Sequence, residues 1–312
     1  MKKILLTGGA GFIGSHLAEC LVDKGHSVKI IDNLSSGSSN NLSSIIDKIE
    51  FVEGDIRDKS LIEELCSDIT SIIHLAAMSS VAQSVEEPLL CNDINVNATL
   101  NLLEVARKKR LKKFVFASSS AVYGNPSKDA IVCETNQTSP LTPYAVSKLA
   151  GEQYCQVYSE IYRLPTISLR LFNVYGPRQN PNSEYSAVIP KFINSISNEE
   201  SPIIYGDGYQ TRDFVYIKDI ITAFEISLKA SQTGIYNIAS GTSYSINELT
   251  GVLTELFEKE ITPEYAPERY GEVKYSQADI SLAKSKLKYN PQYNLKNGLK
   301  DIIEELKINL RV

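Results

Sequence analysis

Residues 3–14 read Lys3-Ile4-Leu5-Leu6-Thr7-Gly8-Gly9-Ala10-Gly11-Phe12-Ile13-Gly14. A short apolar run is followed by glycines at 8, 11 and 14, and then by an amphipathic stretch over 13–24. The order is strand, tight turn, helix. Glycine lets a backbone come close to a bound group, and the first N–H groups of a helix, at its positive dipole end, suit a pyrophosphate. Alone, the turn is also readable as a ligand-free connection. Asp32 ends the next apolar run, where a carboxylate can accept bonds from an adenosine ribose diol and would repel a 2′-phosphate. It is either such a ligand, which favours NAD over NADP, or a turn cap. Asp55 ends the third run and is either an adenine-edge contact or a turn residue.

Working outward, apolar runs at 3–6, 28–31, 49–52, 72–75, 114–117 and 166–171 alternate with helix-length stretches at 13–24, 60–66, 95–108 and 144–162. The runs are almost wholly apolar rather than alternating, which predicts parallel strands covered on both faces. Right-handed β-α-β crossovers then give an α/β fold, a doubly wound Rossmann-like sheet. After residue 175 turn signals become dense, at 176–183, 205–210 and 239–244. This predicts a smaller α/β C-terminal substrate domain. The expected division is 1–175 plus about 211–240 for the dinucleotide-binding domain, and 176–210 with 241–312 for the second. Residues 211–228 look apolar enough to return to the main sheet.

The 312 residues, 43% hydrophobic and 22% charged, suit one large or two modest globular domains. A net charge of −5 without a basic run argues against a nucleic-acid partner. The five cysteines are scattered without CxxC spacing, which argues against a disulfide framework or zinc site and fits a reducing cytoplasm. No apolar stretch predicts a signal peptide or a membrane span. The three histidines (His16, His26, His74) do not cluster with carboxylates, so no metal is expected.

Ser118-Ser119-Ser120 follows the fifth run, at the strand end that borders the ligand crevice of such sheets. Pro143 marks a helix start and is followed by Tyr144-Ala-Val-Ser-Lys148. Tyrosine and lysine four apart share a helix face. A phenol ordinarily titrates near pH 10, so acting as a base near pH 7 needs roughly 4 kcal/mol of selective help to the phenolate. Lys148 and a nicotinamide cation are candidate sources. Together with Ser119 this points to hydride chemistry on a hydroxyl-bearing substrate. In the second half, Arg212 and Arg269 are either fork donors to an anion or surface ion pairs, and Glu272 near Arg269 is a carboxylate for sugar hydroxyls.

These stretches together resemble the extended short-chain dehydrogenase/reductase family over the full length, and within it the UDP-sugar 4-epimerases. The matching segments are TGGAGFIGSHL (7–17), DNLSSG (32–37), GDI (54–56), HLAA (74–77), SSSAVYG (118–124), PYAVSK (143–148), RLFNVYGPRQ (170–179), GDGYQTRDFVYIKD (206–219) and ADIS (278–281). The resemblance implies NAD bound by Gly8, Gly11, Phe12, Ile13, Gly14, Asp32, Asn33, Asp55, Ile56, Leu75, Ala76, Ala77, Tyr144 and Lys148. It implies Tyr144 as acid and base, Lys148 bonding the nicotinamide ribose and depressing the tyrosine pKa, and Ser119 bonding the sugar O4. For the UDP-sugar it implies Asn173, Arg212 and Arg269 along the diphosphate, Tyr205 stacked on uracil, Glu272 on the uridine ribose, and Ser79, Val188 and Ser276 as further contacts.

Two departures narrow the reading. Dehydratases and decarboxylases of the family place an acid after the catalytic hydroxyl, whereas Ser120-Ala121 stands here. Ser276, three before Asp279, is small where relatives restricted to plain hexoses carry a bulky residue, which resembles the UDP-N-acetylglucosamine 4-epimerases. A UDP-glucose or UDP-glucuronate 4-epimerase, another nucleotide-sugar oxidoreductase or lyase, and a non-enzymatic NAD sensor are the alternatives. A homodimer is expected through a bundle of the helices at 95–108 and 144–162.

Overall fold

A computed structural model describes residues 2–179, 188–268 and 273–309. The first half lays down β1 (Lys3–Thr7), α1 (Phe12–Asp23), β2 (Ser27–Asp32), β3 (Glu50–Glu53), α2 (Lys59–Leu65), β4 (Ser71–His74), α3 (Val81–Glu86), α4 (Pro88–Asn92), α5 (Ala98–Lys108), β5 (Lys113–Ser119), α6 (Pro143–Tyr162) and β6 (Thr166–Leu171). The second half adds β7 (Asn173–Tyr175), α7 (Val188–Ser197), β8 (Ile203–Tyr205), β9 (Thr211–Tyr216), α8 (Ile217–Lys229), β10 (Gly234–Ile238), β11 (Ser243–Ser245), α9 (Ile246–Phe257), β12 (Glu264–Ala266) and α10 (Leu295–Asn309).

Seven parallel strands form the central sheet in the order β10-β6-β5-β4-β1-β2-β3. The order in which the chain adds strands reverses between β1 and β4, so the crevice opens at the carboxyl ends of those two strands. Side-chain alternation explains the unbroken apolar runs. Ile4, Leu6, Val115 and Ala117 face a core shared with Leu17, Leu21 and Phe224 from α1 and α8. Leu5, Phe114 and Phe116 face the opposite core with Ile62, Leu102 and Cys155 from α2, α5 and α6. Each strand therefore buries both faces, at roughly 25 cal/mol per Å² of apolar area.

The strand that returns to this sheet is Gly234–Ile238, parallel to β6. Thr211–Tyr216, expected to return, instead lies between β7 and β11 in a separate three-stranded sheet. Its helix α8 does come back, packing on α1 and β5. The apolar pattern of 211–228 thus serves two cores rather than one. A second small sheet pairs β8 with β12. The expected helix 95–108 also begins differently: residues 93–97 form a π turn between α4 and α5. That extra residue per turn rotates Asn95 inward, where it is 2% exposed and bonds Met78 and Ser147. π turns of this kind recur at functional sites. Among the described residues no helix is long and apolar enough to cross a membrane, and no group of three or more metal-type side chains converges.

Candidate active site

The crevice at the sheet's carboxyl edge is a cleft of about 470 Å³. Its floor is the turn from β1 into α1. Gly8 has φ +71°, and a Cβ on it would lie 2.7 Å from the Ala76 nitrogen; a Cβ on Gly14 would lie 2.1 Å from the Gly8 carbonyl oxygen. Glycine is required at both places by space. No side chain caps α1 at Gly11. The N–H groups of a helix's first turn lack intrahelical partners, and the first-turn residues Phe12, Ile13 and Gly14 line the cleft. An anionic group fits there as the missing cap.

Asp32 sits where β2 ends. Its Oδ2 accepts from the Ala10 N–H and its Oδ1 from the Leu34 N–H, both at 2.9 Å. The carboxylate is fixed by backbone, with lone pairs left for a diol. Asn33, Asp55 and Ile56 line the same end, and Leu75, Ala76 and Ala77 the opposite side. Asp55 is gripped by Arg57, with Nη2 at 2.7 Å and Nε at 3.0 Å, and that guanidinium holds the carboxyl below its usual range. Asp55 therefore builds the turn and borders the cleft at once.

The cleft also gathers Ser119, Tyr144 and Lys148, together with Ser79. Helix α6 starts here because the Thr142 hydroxyl accepts from the Ala145 N–H and Pro143 occupies its first turn. Burial pushes the Tyr144 phenol up, and a hydrogen bond with the Ser119 hydroxyl pulls it back. The Lys148 ammonium is desolvated and pushed down to about 8. Its Nζ donates to the Ala117 carbonyl at 2.9 Å and stands 5.8 Å from the Tyr144 ring centre. The ammonium thus rests on the strand rather than on the phenol oxygen. The turn after Ser119 reads Ser120-Ala-Val-Tyr123, with the Ala121 N–H donating to the Ser119 hydroxyl at 3.2 Å. No carboxylate stands on it.

The other predicted contacts lie outside this cleft's lining. Asn173 reaches the Ser276 hydroxyl and the Asp213 carbonyl, both at 3.4 Å. Arg212, on β9, donates to the carbonyls of Thr211 at 2.9 Å and Lys274 at 3.3 Å. Tyr205 ends β8 and Val188 opens α7. Arg269 and Glu272 lie outside the described residues.

A family model described as GDP-mannose 4,6 dehydratase matches residues 5–302. The chain belongs to this family. It is thereby an extended short-chain dehydrogenase/reductase, as its motifs predict. It is 43% identical over 310 residues to a putative UDP-glucose 4-epimerase of Methanocaldococcus jannaschii, covering 99% of each chain. Among solved structures, a UDP-N-acetylglucosamine 4-epimerase from Methanobrevibacter ruminantium, in complex with UDP-N-acetylmuramic acid, superposes with a TM-score of 0.94 at 40% identity, over 99% of both chains. A UDP-glucose 4-epimerase of Thermus thermophilus, complexed with NAD, gives 0.89 at 35%, over 98% of this chain and 99% of that one.

Several residues at this family member's cleft escape sequence reasoning. Met78, Phe172 and Gln179 line it, and the Gln179 side-chain oxygen is buried without a partner. Behind it, Glu152 and Arg170 form a buried ion pair. The available signals were a charged residue inside the apolar run 166–171 and a glutamate four beyond Lys148.

Proposed function

We propose that this protein is an NAD-dependent UDP-hexose 4-epimerase, taking the N-acetylhexosamine pair as well as, or in preference to, the plain hexose pair. The observation that carries the reading is the convergence of Ser119, Tyr144 and Lys148 on the cleft that also holds the glycine cradle and Asp32. The relatives that are 4-epimerases support it, and so does the absence of a carboxylate from the turn after Ser119, which elimination chemistry would use.

The first-turn N–H groups of α1 would hold the NAD pyrophosphate, Asp32 the adenosine ribose, and Tyr144 with Lys148 the nicotinamide ribose. When bound, NAD supplies a hydride acceptor for the sugar C4 and a cationic ring. Tyr144 would take the O4 proton as C4 gives up its hydride and the alcohol becomes the 4-ketone, and Ser119 would hold O4 in register. The positive charge around the phenol is what lets it serve as base, since burial alone opposes ionisation. Between the two transfers the 4-keto sugar turns its other face, and Tyr144 returns the proton.

Ser276 supports the acetamido reading. It is 8% exposed and hydrogen-bonded to Asn173, itself a proposed substrate contact, so a larger side chain there would take up space that this reading assigns to the acetamido group. Arg212 and Arg269 are proposed ligands of the diphosphate, Tyr205 of the uracil and Glu272 of the uridine ribose, with Val188 as a further contact. The corresponding domain division is 1–175 with about 211–240 for NAD, and 176–210 with 241–312 for the UDP-sugar. The return of Gly234–Ile238 to the sheet supports it, although Thr211–Tyr216 is tied to the smaller sheet.

A homodimer is part of the proposal. The outer face of α6 exposes Val146, Tyr154, Val157 and Ile161 at helical spacing, an apolar stripe suited to a second copy. The scattered free cysteines support a cytoplasmic setting.

The test is proton NMR of the protein with UDP-N-acetylglucosamine and, separately, UDP-glucose. Appearance of the N-acetylgalactosamine isomer is expected. Turnover of UDP-glucose alone would keep the mechanism and discard the Ser276 argument. Silence on both, even with NAD supplied, would remove this substrate reading.

A further inference from the structure

Helix α6 is fastened to the end of β5 at three consecutive strand residues. Tyr144 bonds Ser119, Lys148 bonds the Ala117 carbonyl, and Glu152 accepts from the Ser118 hydroxyl at 2.5 Å. Residues 144, 148 and 152 recur at four-residue spacing and share one helix face. One position earlier, a Cβ on Gly151 would come within 2.4 Å of the Phe116 ring, so helix and strand touch closely there.

Glu152 is fully buried, and Arg170 is 3% exposed. Arg170 is the register neighbour of Ser118 on β6. Its Nε and Nη2 donate to the two Glu152 oxygens at 2.9 and 2.7 Å. Its Nη1 donates to the Tyr123 hydroxyl at 2.8 Å, which itself bonds the Asn237 side-chain oxygen at 2.7 Å. The Asn237 amide then reaches the carbonyls of Val132 at 3.0 Å and Asp279 at 3.2 Å. Asp279 belongs to the segment that carries Ser276.

A buried ion pair is a poor source of stability, because desolvation cancels most of its attraction. It is a good source of geometric definition when bidentate and fully bonded. We propose that Glu152, clamped by Arg170, is a positioning residue for the reaction, fixing the height and rotation of α6 on β5 so that Tyr144 and Lys148 face Ser119. Through Tyr123 and Asn237 the same clamp indexes that triad to the segment holding Ser276. This rests on the epimerase reading of the cleft.

Among the described residues, the charged and titratable groups facing Lys148 are Glu152 and Tyr144 on its own helix, Cys91 from α4 and His74 from β4. Glu152 favours the protonated ammonium. Glu152→Gln would remove that support and leave the Arg170 charge uncompensated, so the Lys148 proton should leave more easily.

The experiment compares wild type with Glu152→Gln and with the double variant Glu152→Gln/Arg170→Gln, which strands no buried charge and guards against a single variant that fails to fold. Two quantities are read: kcat and KM for UDP-sugar, normalised to bound NAD, and the Lys148 titration by NMR of carbon-labelled lysine, assigned with Lys148→Met. Glu152→Gln is expected to lose about tenfold or more in kcat with KM held within about twofold. Its Lys148 midpoint should fall by about half a pH unit or more. The double variant should recover the midpoint and not the kcat, because the charges cancel while the clamp is gone. Wild-type kcat in Glu152→Gln would overturn the proposal, and so would a loss of kcat with the midpoint unmoved in both variants. A wild type inactive on every UDP-sugar would refute the epimerase reading instead, and the midpoints would still decide whether Glu152 governs Lys148.

Discussion

The cleft and the region proposed for the sugar nucleotide, which lies outside its lining, are built by different means. On the dinucleotide side, shape comes from backbone at the ends of adjacent parallel strands: the Gly8–Gly14 turn, the N–H groups that hold Asp32, and the 75–77 segment against Gly8. In the region proposed for the sugar, shape comes from side chains that join distant segments. Asp213 is the clearest case. Fully buried on β9, it accepts from the Ser240 N–H and hydroxyl, the Gly241 N–H and the Ala278 N–H, at 2.7 to 3.2 Å. It thereby pins the Ser276 segment beside Arg212. The difference teaches that a site made of main chain is encoded by a short local motif, whereas one made of cross-links needs the whole fold before its parts meet.

The sharpest cut at this contrast is Tyr144→Phe. It should lower kcat by about three orders of magnitude, with the circular dichroism spectrum and bound NAD unchanged; undiminished turnover would remove Tyr144 as acid and base. Next comes Gly14→Ala, whose methyl has no room beside the Gly8 carbonyl. Roughly a hundredfold loss of NAD affinity is expected, read from cofactor released on denaturation, and full retention would mean the turn is not the cradle.

The third test concerns His74, which spans the two strands at the crevice. Its Nδ1 accepts from the Thr7 hydroxyl at 2.7 Å. Its Nε2 donates at 2.8 Å to the Thr99 hydroxyl, which already donates to the Asn95 carbonyl. Burial pushes this imidazole down to about 3, so it stays neutral in the native state. The unfolded chain takes up a proton below about pH 6.5. Stability from this group is therefore present above that pH and lost as pH falls, by about 2 kcal/mol at pH 5. Asp213, pushed up to about 6, works the other way across the same range, because its native form binds the proton first. Urea midpoints at pH 7 and pH 5 for wild type and His74→Gln isolate the histidine: the variant should lose less stability on acidification, and parallel losses would contradict a neutral His74.

The smallest expected effect belongs to the sugar side. Ser276→Tyr should cut kcat/KM for UDP-N-acetylglucosamine by about tenfold relative to UDP-glucose. Equal losses on both substrates would show that Ser276 does not gate sugar size.

Much of the fold was legible because the six runs over 3–171 are apolar on both faces, and only a covered parallel sheet asks for that. The order of glycines and the strand-end carboxylate made the turn that floors the cleft readable for the same local reason. The sequence was silent where an outcome depended on partners far away. Gly234-Ile-Tyr-Asn-Ile238 is a short strand with one tyrosine and one asparagine, and nothing local says it will border β6. Thr211–Tyr216 carried enough apolar character for either sheet. Asn95 turned inward through a π turn that no propensity marks. Glu152 and Arg170 carry only a weak local signal, and the three-dimensional meeting of α6, β5 and β6 is what gives them their burial.

The seventh strand has a consequence for synthesis. A ribosome delivers β6 well before β10, so a nascent chain exposing only the first six strands presents Arg170 at an open sheet edge, without the Asn237 that neighbours it in the finished register. The reactive strand and its helix can collapse early, yet their final alignment waits for residues beyond 234. The last strand to reach the sheet therefore completes the surroundings of a charge that the earlier strands have already buried on one side.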